Sequence, residues 1–210
     1  MTRSRFIPVL ILGVTGAAGA AVPAAHAQIA AAASGPVAPV QALYAELTRI
    51  EAQAGSSFAQ RAQALAPVID RTFDIPAVLK KSVGLRYESL PAAQKQQLLD
   101  QFRQFTVARY VSNFKPGGGD RFTVDPTPTA SPIPGQQVVH SRIVAGDGST
   151  DVNYVMGQNN GGWQVVDVLL NGNISQVAVQ RSDFSSSLSS GDATALIDSL
   201  RRKTQAFAEG

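Results

Sequence analysis

Cysteine is absent from this 210-residue chain. That excludes disulfides, thiolate metal sites and a Cys nucleophile. It also leaves no lipid-anchored Cys after the apolar N-terminal run. Histidine is nearly absent too: of two residues, His26 lies in the N-terminal segment, so His140 stands alone. A single His builds no His-based metal site, and no carboxylate cluster with ligand spacing accompanies it. Charged residues make up only 16% of the chain. No Lys/Arg cluster forms the basic stripe that nucleic-acid binding needs, so that partner class is set aside. Long apolar runs are missing as well. The stretch from Phe6 to Ala21 is too short and too rich in Gly, Ala and Pro for a spanning helix, which needs about 20 apolar residues. The sequence has no G-x-S-x-G elbow, P-loop, dinucleotide fingerprint or H-E-x-x-H. Gly117-Gly118-Gly119 precedes neither a Lys nor a helix start in phosphate-binding register, and reads as a loop. No cofactor, metal or catalytic residue is therefore expected.

The first feature present is an export signal. Arg3 and Arg5 form a positive n-region, the apolar run follows, and Ala25-His26-Ala27 fits an A-x-A cleavage site. Cleavage after Ala27 is expected, with retention as an N-terminal anchor the alternative. Removing residues 1–27 leaves 16 basic residues against 15 acidic ones, close to neutral. Residues 28–39 read as a flexible lead-in and residues 40–210 as a single domain, long enough to bury its own core.

That domain divides into a helical half and a strand half. Val40, Leu43, Tyr44, Leu47, Ile50 and Ala54 fall on one helical stripe that Gly55 stops. Phe58, Ala62, Leu65, Ile69 and Phe73 give a second amphipathic helix. Asp74 caps a short third one that runs to Gly84. The longest helix runs from Pro91 to Phe114 and ends at Pro116-Gly117-Gly118-Gly119. From residue 121 the period changes to two. Arg121–Thr129, Gln137–Ala145, Thr150–Gly157 and Gly162–Leu170 read as four strands, and the prolines crowding the first place it at an edge. Gly146-Asp147-Gly148 and Asn159-Asn160-Gly161-Gly162 are hairpin signals, so the sheet is expected to be antiparallel. Two closing helices carry Ile174, Val177, Ala178, Phe184 and Leu188, then Leu196, Ile197, Leu200 and Phe207. The expected class is α+β, with helices packed on one face of a curved antiparallel sheet.

Three polar residues on apolar elements carry two readings each. His140 is an ordinary strand histidine or a general base awaiting an orienting acid. Asp167, inside the strand Trp163–Leu170, faces solvent or caps the turn, or else acts chemically. Arg181 lies on the stripe of its helix, either in a structural ion pair with Asp167 or Asp183, or at a ligand mouth meeting an anionic headgroup. The aromatics of the long helix and the strands fit a filled core as well as a hollow one.

A family resemblance narrows this. Trp163-Gln164-Val165-Val166-Asp167-Val168 with Gly172-Asn173-Ile174-Ser175 resembles the W-x-V-x-D-V…G-x-S signature of the MlaC, or toluene-tolerance auxiliary, family. Arg181-Ser182-Asp183-Phe184 matches its R-x-x-F element, and Leu196-Ile197-Asp198-Ser199-Leu200 with Lys203 its closing helix. Phe73-Asp74, Gly84 and the Pro91–Tyr110 helix fit its helical half, so the likeness covers residues 40–207. The chain departs from the pattern by inserting Asn173 and by starting the long helix with Leu90-Pro91 in place of Thr-Pro. The Gln-Arg-Ser-Asp-Phe wording resembles the HpnM branch, associated with hopanoid loci. The resemblance implies an NTF2-like cone and a periplasmic carrier of phospholipid or a hopanoid-type lipid. Its implied partners are an inner-membrane ABC-transporter complex and an outer-membrane lipoprotein–porin complex. On that reading the cavity walls come from Phe102, Phe105, Tyr110, Val139, Ile143, Val152, Tyr154, Val166, Val168, Ile174 and Phe184. The rivals are a small-molecule enzyme using His140 or Asp167 as base, and a solid-cored periplasmic adaptor.

Overall fold

The computed structural model describes residues 35–209, apart from Asp147, Asn160, Gly161, Ser189 and Ser190. The expected export signal, most of the expected lead-in and the centres of both hairpin signals lie outside the described residues. Among the described residues no helix is long and apolar enough to cross a membrane.

Five helices come first: α1 (Val37–Ala52), α2 (Phe58–Thr72), α3 (Ile75–Val83), the single turn α4 (Arg86–Ser89) and α5 (Ala92–Asn113). α1 begins three residues inside the expected lead-in and buries Val40, Leu43, Tyr44, Leu47 and Ile50 along one stripe. α2 starts with a reciprocal capping box. Ser57 Oγ accepts from the Gln60 amide at 3.2 Å, and Gln60 Oε1 accepts from the Ser57 amide at 2.8 Å. α3 is capped by Asp74, whose Oδ1 accepts from the Ala77 amide at 3.0 Å. It ends at Gly84, whose φ of +73° favours a residue without Cβ. α4 was not expected from periodicity, since one turn is shorter than any period it could display.

The sheet is antiparallel and has six strands where four were expected: β1 (Arg121–Val124), β2 (Thr129–Ala130), β3 (Gln136–Ala145), β4 (Gly148–Asn159), β5 (Gly162–Leu170) and β6 (Ile174–Ser175). The segment 121–129 divides because Pro126 and Pro128 carry no amide to donate into a ladder, leaving β1 and β2 as separate partners of β3. Both lie outside the central ladder, as the prolines implied; the path runs β1-β3-β4-β5-β6. β6 is the second addition. Ile174 pairs with Leu170 across it, so the helix expected to include Ile174 starts two residues later, as α6 (Gln176–Ser185). α7 (Thr194–Glu209) closes the chain against α5.

α5 is the central pillar. It packs on α7, α2 and α3 and buries Leu98, Gln101, Phe102, Phe105, Val107, Ala108 and Val111, which point in several directions. On the helix-facing side of the sheet, Val139, Ser141 and Ile143 of β3 stand in register with Tyr154, Val152 and Thr150 of β4. The opposite side carries His140, Arg142, Asp151 and Asn153. Between β4 and β5 the register slips. Tyr154 faces Val168 and Val155 faces Asp167, but Met156 faces Val165, leaving Val166 as a bulge.

Candidate functional site

Between α5, the first turns of α6, the α2–α3 junction and the inner faces of β3–β5 lies a cavity of about 240 Å³. Its depth is apolar and aromatic: Phe73, Ile75, Val78, Phe102, Phe105, Tyr110, Phe114, Val152, Tyr154, Val165, Val168 and Val177. Polar side chains enter from α5 (Thr106, Arg109, Asn113), α6 (Gln176, Gln180) and the start of β4 (Thr150). Asn113 and Thr150 are solvent-exposed and Gln176 is half-buried, so this polar end is the mouth.

A chain of hydroxyls backs the apolar depth. Tyr154 donates to Tyr44 at 3.2 Å, Tyr44 and Ser141 share a 2.7 Å hydrogen bond, and Ser141 donates to the Val152 carbonyl. Because a carbonyl cannot donate, Ser141 spends its one proton on Val152, so Tyr44 must donate to Ser141. Polarity is thereby fixed along the chain, and Tyr154 presents only an acceptor to Tyr110 and the cavity. Burial raises Tyr154, Tyr44 and Tyr110 above the ordinary phenol value, so all three stay neutral through the physiological range.

Two charged residues line the wall, and one is fully engaged. Asp167 Oδ1 accepts from the amides of Val168 at 2.7 Å and Val177 at 3.1 Å, and its Oδ2 accepts from Ser175 Oγ at 2.6 Å. Ser175 Oγ in turn accepts from the Ala178 amide, so the two side chains together cap α6 and fasten it to β5. Arg109 donates from Nη2 to Gln176 Oε1 at 3.2 Å.

The profile of the MlaC protein family matches residues 38–202. The chain belongs to the MlaC family. A comparison with curated protein sequences gave no match. Among solved structures, the fold is similar to that of a phospholipid-binding protein from Ralstonia solanacearum, determined in complex with a phospholipid. The TM-score is 0.70 and the identity 18%, over 82% of this chain and 98% of the other.

Within this MlaC fold, Phe102, Phe105, Tyr110, Ile143, Val152, Tyr154 and Val168 come together around the cavity. The other four of the expected wall residues sit elsewhere. Val139 is on the same sheet face but wholly enclosed in packed core. Phe184 stands behind the wall, edge-on to Phe102 at 6.2 Å. Ile174 is 47% exposed on β6. Val166 is turned to the outer face by the bulge, against Gly157, and Val165 takes the inner position instead. The proposed Arg181 ion pair is replaced by a different bond. Arg181 is exposed, and its Nε and Nη2 both donate to the Lys81 carbonyl, at 2.9 and 2.6 Å, capping the last turn of α3. His140 lies on the outer sheet face in an open polar groove, its Nε2 2.8 Å from Thr129 Oγ1 and its Nδ1 3.0 Å from Asn153 Oδ1. Arg109 and the glutamines of α6 were missed, although 102, 105, 106, 109, 110 and 113 form one helical stripe. A count of apolar residues alone drops the polar members of that stripe.

Proposed function

We propose that the protein is a lipid-binding carrier of the periplasm rather than an enzyme, its acyl chains held in the cavity between α5 and the sheet. The observation that carries this reading is the cavity itself, an aromatic and aliphatic depth with a polar mouth at one end. The family match and the phospholipid bound by the Ralstonia protein support the same ligand class. The physical need is plain: exposing a lipid tail costs ~0.8 kcal/mol per CH₂, so a sixteen-carbon chain in water costs on the order of 12 kcal/mol. Crossing an aqueous compartment therefore requires a protein interior in place of the bilayer. On this reading residues 1–27 direct export, the sheet and helices form an NTF2-like cone, and the carrier shuttles between an inner-membrane ABC-transporter complex and an outer-membrane lipoprotein–porin complex. The cargo on this reading is a phospholipid, or a hopanoid-type lipid if the chain is of the HpnM branch. Asp167 and His140, the two residues an enzyme on this fold would draw on, are engaged in structural hydrogen bonds.

Protein purified without detergent and extracted into organic solvent should release near-stoichiometric lipid by mass spectrometry. Val168→Asp places a carboxylate on the wall and should abolish that lipid in protein that still folds. A lipid-free extract from the native protein, or unchanged lipid in the variant, would sink the reading.

A further inference from the structure

Resting on the carrier reading, we propose that Arg109 is the headgroup anchor of the cavity and selects lipids bearing a phosphate. Several other cations are already matched. Arg103 pairs with Asp70 at 2.6 Å, Arg142 with Asp151 at 2.7 Å, and Arg86 and Arg181 are spent on backbone carbonyls. Arg109 differs on each count. It is half-buried on the cavity wall, and among the described residues no carboxylate lies within ion-pair distance of it. Its hydrogen bond to the neutral amide oxygen of Gln176 uses one of the five donors a guanidinium carries.

Its surroundings suit an anion. Asn113 follows one turn along α5, and Gln176 and Gln180 face it from α6, all lining the same cavity. The wall's one carboxylate, Asp167, is covered by two amides and a hydroxyl. A phosphodiester seated at the mouth would accept a forked pair of charge-assisted hydrogen bonds from the guanidinium while its acyl chains run toward Phe102, Phe105 and Tyr154. A neutral glyceride, with the same chains and no phosphate, gains nothing from Arg109.

The test is a competition. Protein is loaded from vesicles holding equal amounts of phosphatidylglycerol and diacylglycerol with identical acyl chains, re-isolated, and the bound ratio read by mass spectrometry. The native chain should favour phosphatidylglycerol, and Arg109→Gln and Arg109→Met should lower that ratio about tenfold or more, equivalent to ~1.4 kcal/mol. Arg109→Lys, which keeps the charge and loses the fork, should fall between the native chain and the neutral variants. Retained diacylglycerol shows that a variant is folded with its cavity intact. An unchanged ratio in the neutral variants, including equal loss of both lipids, overturns the anchor alone. Native protein that loads neither lipid overturns the carrier reading, and the anchor with it.

Discussion

Asp167 holds three donors from two elements, and removing its carboxylate leaves the Val168 and Val177 amides and the Ser175 hydroxyl without that acceptor. Asp167→Ala should therefore lower stability by about 2 kcal/mol, the sum of a lost cap and unmet buried donors. Asp167→Asn, which keeps an acceptor oxygen, should recover part of that. Denaturant midpoints of the three proteins check it, and an Ala variant as stable as the native chain would remove the capping role. At this scale the sequence told residue type better than residue task. The W-x-V-x-D-V…G-x-S likeness takes in Asp167 and Ser175, but a strand pattern shows nothing of the helix N-terminus they close. Arg181 was singled out because a charge interrupted an apolar stripe. Arg109 escaped for the complementary reason: flanked by Thr106 and Asn113, it looked like solvent-facing helix.

Elements were legible where periodicity was long and hidden where one residue broke it. α1 and α2 fall close to their expected spans because each buries several residues of a continuous stripe, and α5 because Pro91 and the Pro116-Gly117-Gly118-Gly119 run bound it. The β4–β5 bulge shows the opposite case. One extra residue at Val166 reverses the alternation upstream of it, so a count back from Val168 assigns Val166 to the inner face when Val165 holds that place. The bulge has a steric requirement of its own. A Cβ on Gly157 would stand 2.9 Å from Val166 Cγ1, closer than side-chain carbons approach. Gly157→Ala should cost about 1–3 kcal/mol. In a Val166→Ala background the same change should cost much less, and the difference between backgrounds is the coupling a double-mutant cycle reads. Equal costs in both would mean that the bulge does not rest on this contact.

For the molecule as a whole, three phenols buried together dictate how it meets alkali. Tyr44, Tyr110 and Tyr154 are all raised above the ordinary value of 10.0, chiefly by burial. The folded state therefore keeps protons that the unfolded chain gives up. The sign follows directly: their contribution is complete below pH 10 and declines as pH climbs past it, by about 1.4 kcal/mol per pH unit for each phenol. Denaturant stability should fall steeply above pH 10, with the tyrosinate absorbance of these three groups appearing only on unfolding. Tyr154→Phe should remove about one group's share of that slope. Tyrosinate rising by three groups while the fold persists would contradict the burial. None of this clustering was readable beforehand, because residues 44, 110 and 154 come from three elements and meet only once the sheet and α1 close on α5.

The fastenings of the cavity wall have a consequence for ionic strength. Asp167 binds amides and a hydroxyl, and Arg181 binds a carbonyl, so each tie joins one full charge to neutral dipoles at hydrogen-bond distance. Counter-ions weaken attraction between two net charges across solvent, and here the second charge is missing. β5, α6 and α3 thus stay joined at salt levels that loosen surface ion pairs such as Lys80–Glu88. The shape of the chamber is insulated from the electrolyte around it, and among its walls Arg109 is the cation whose reach for an anion the electrolyte can tune.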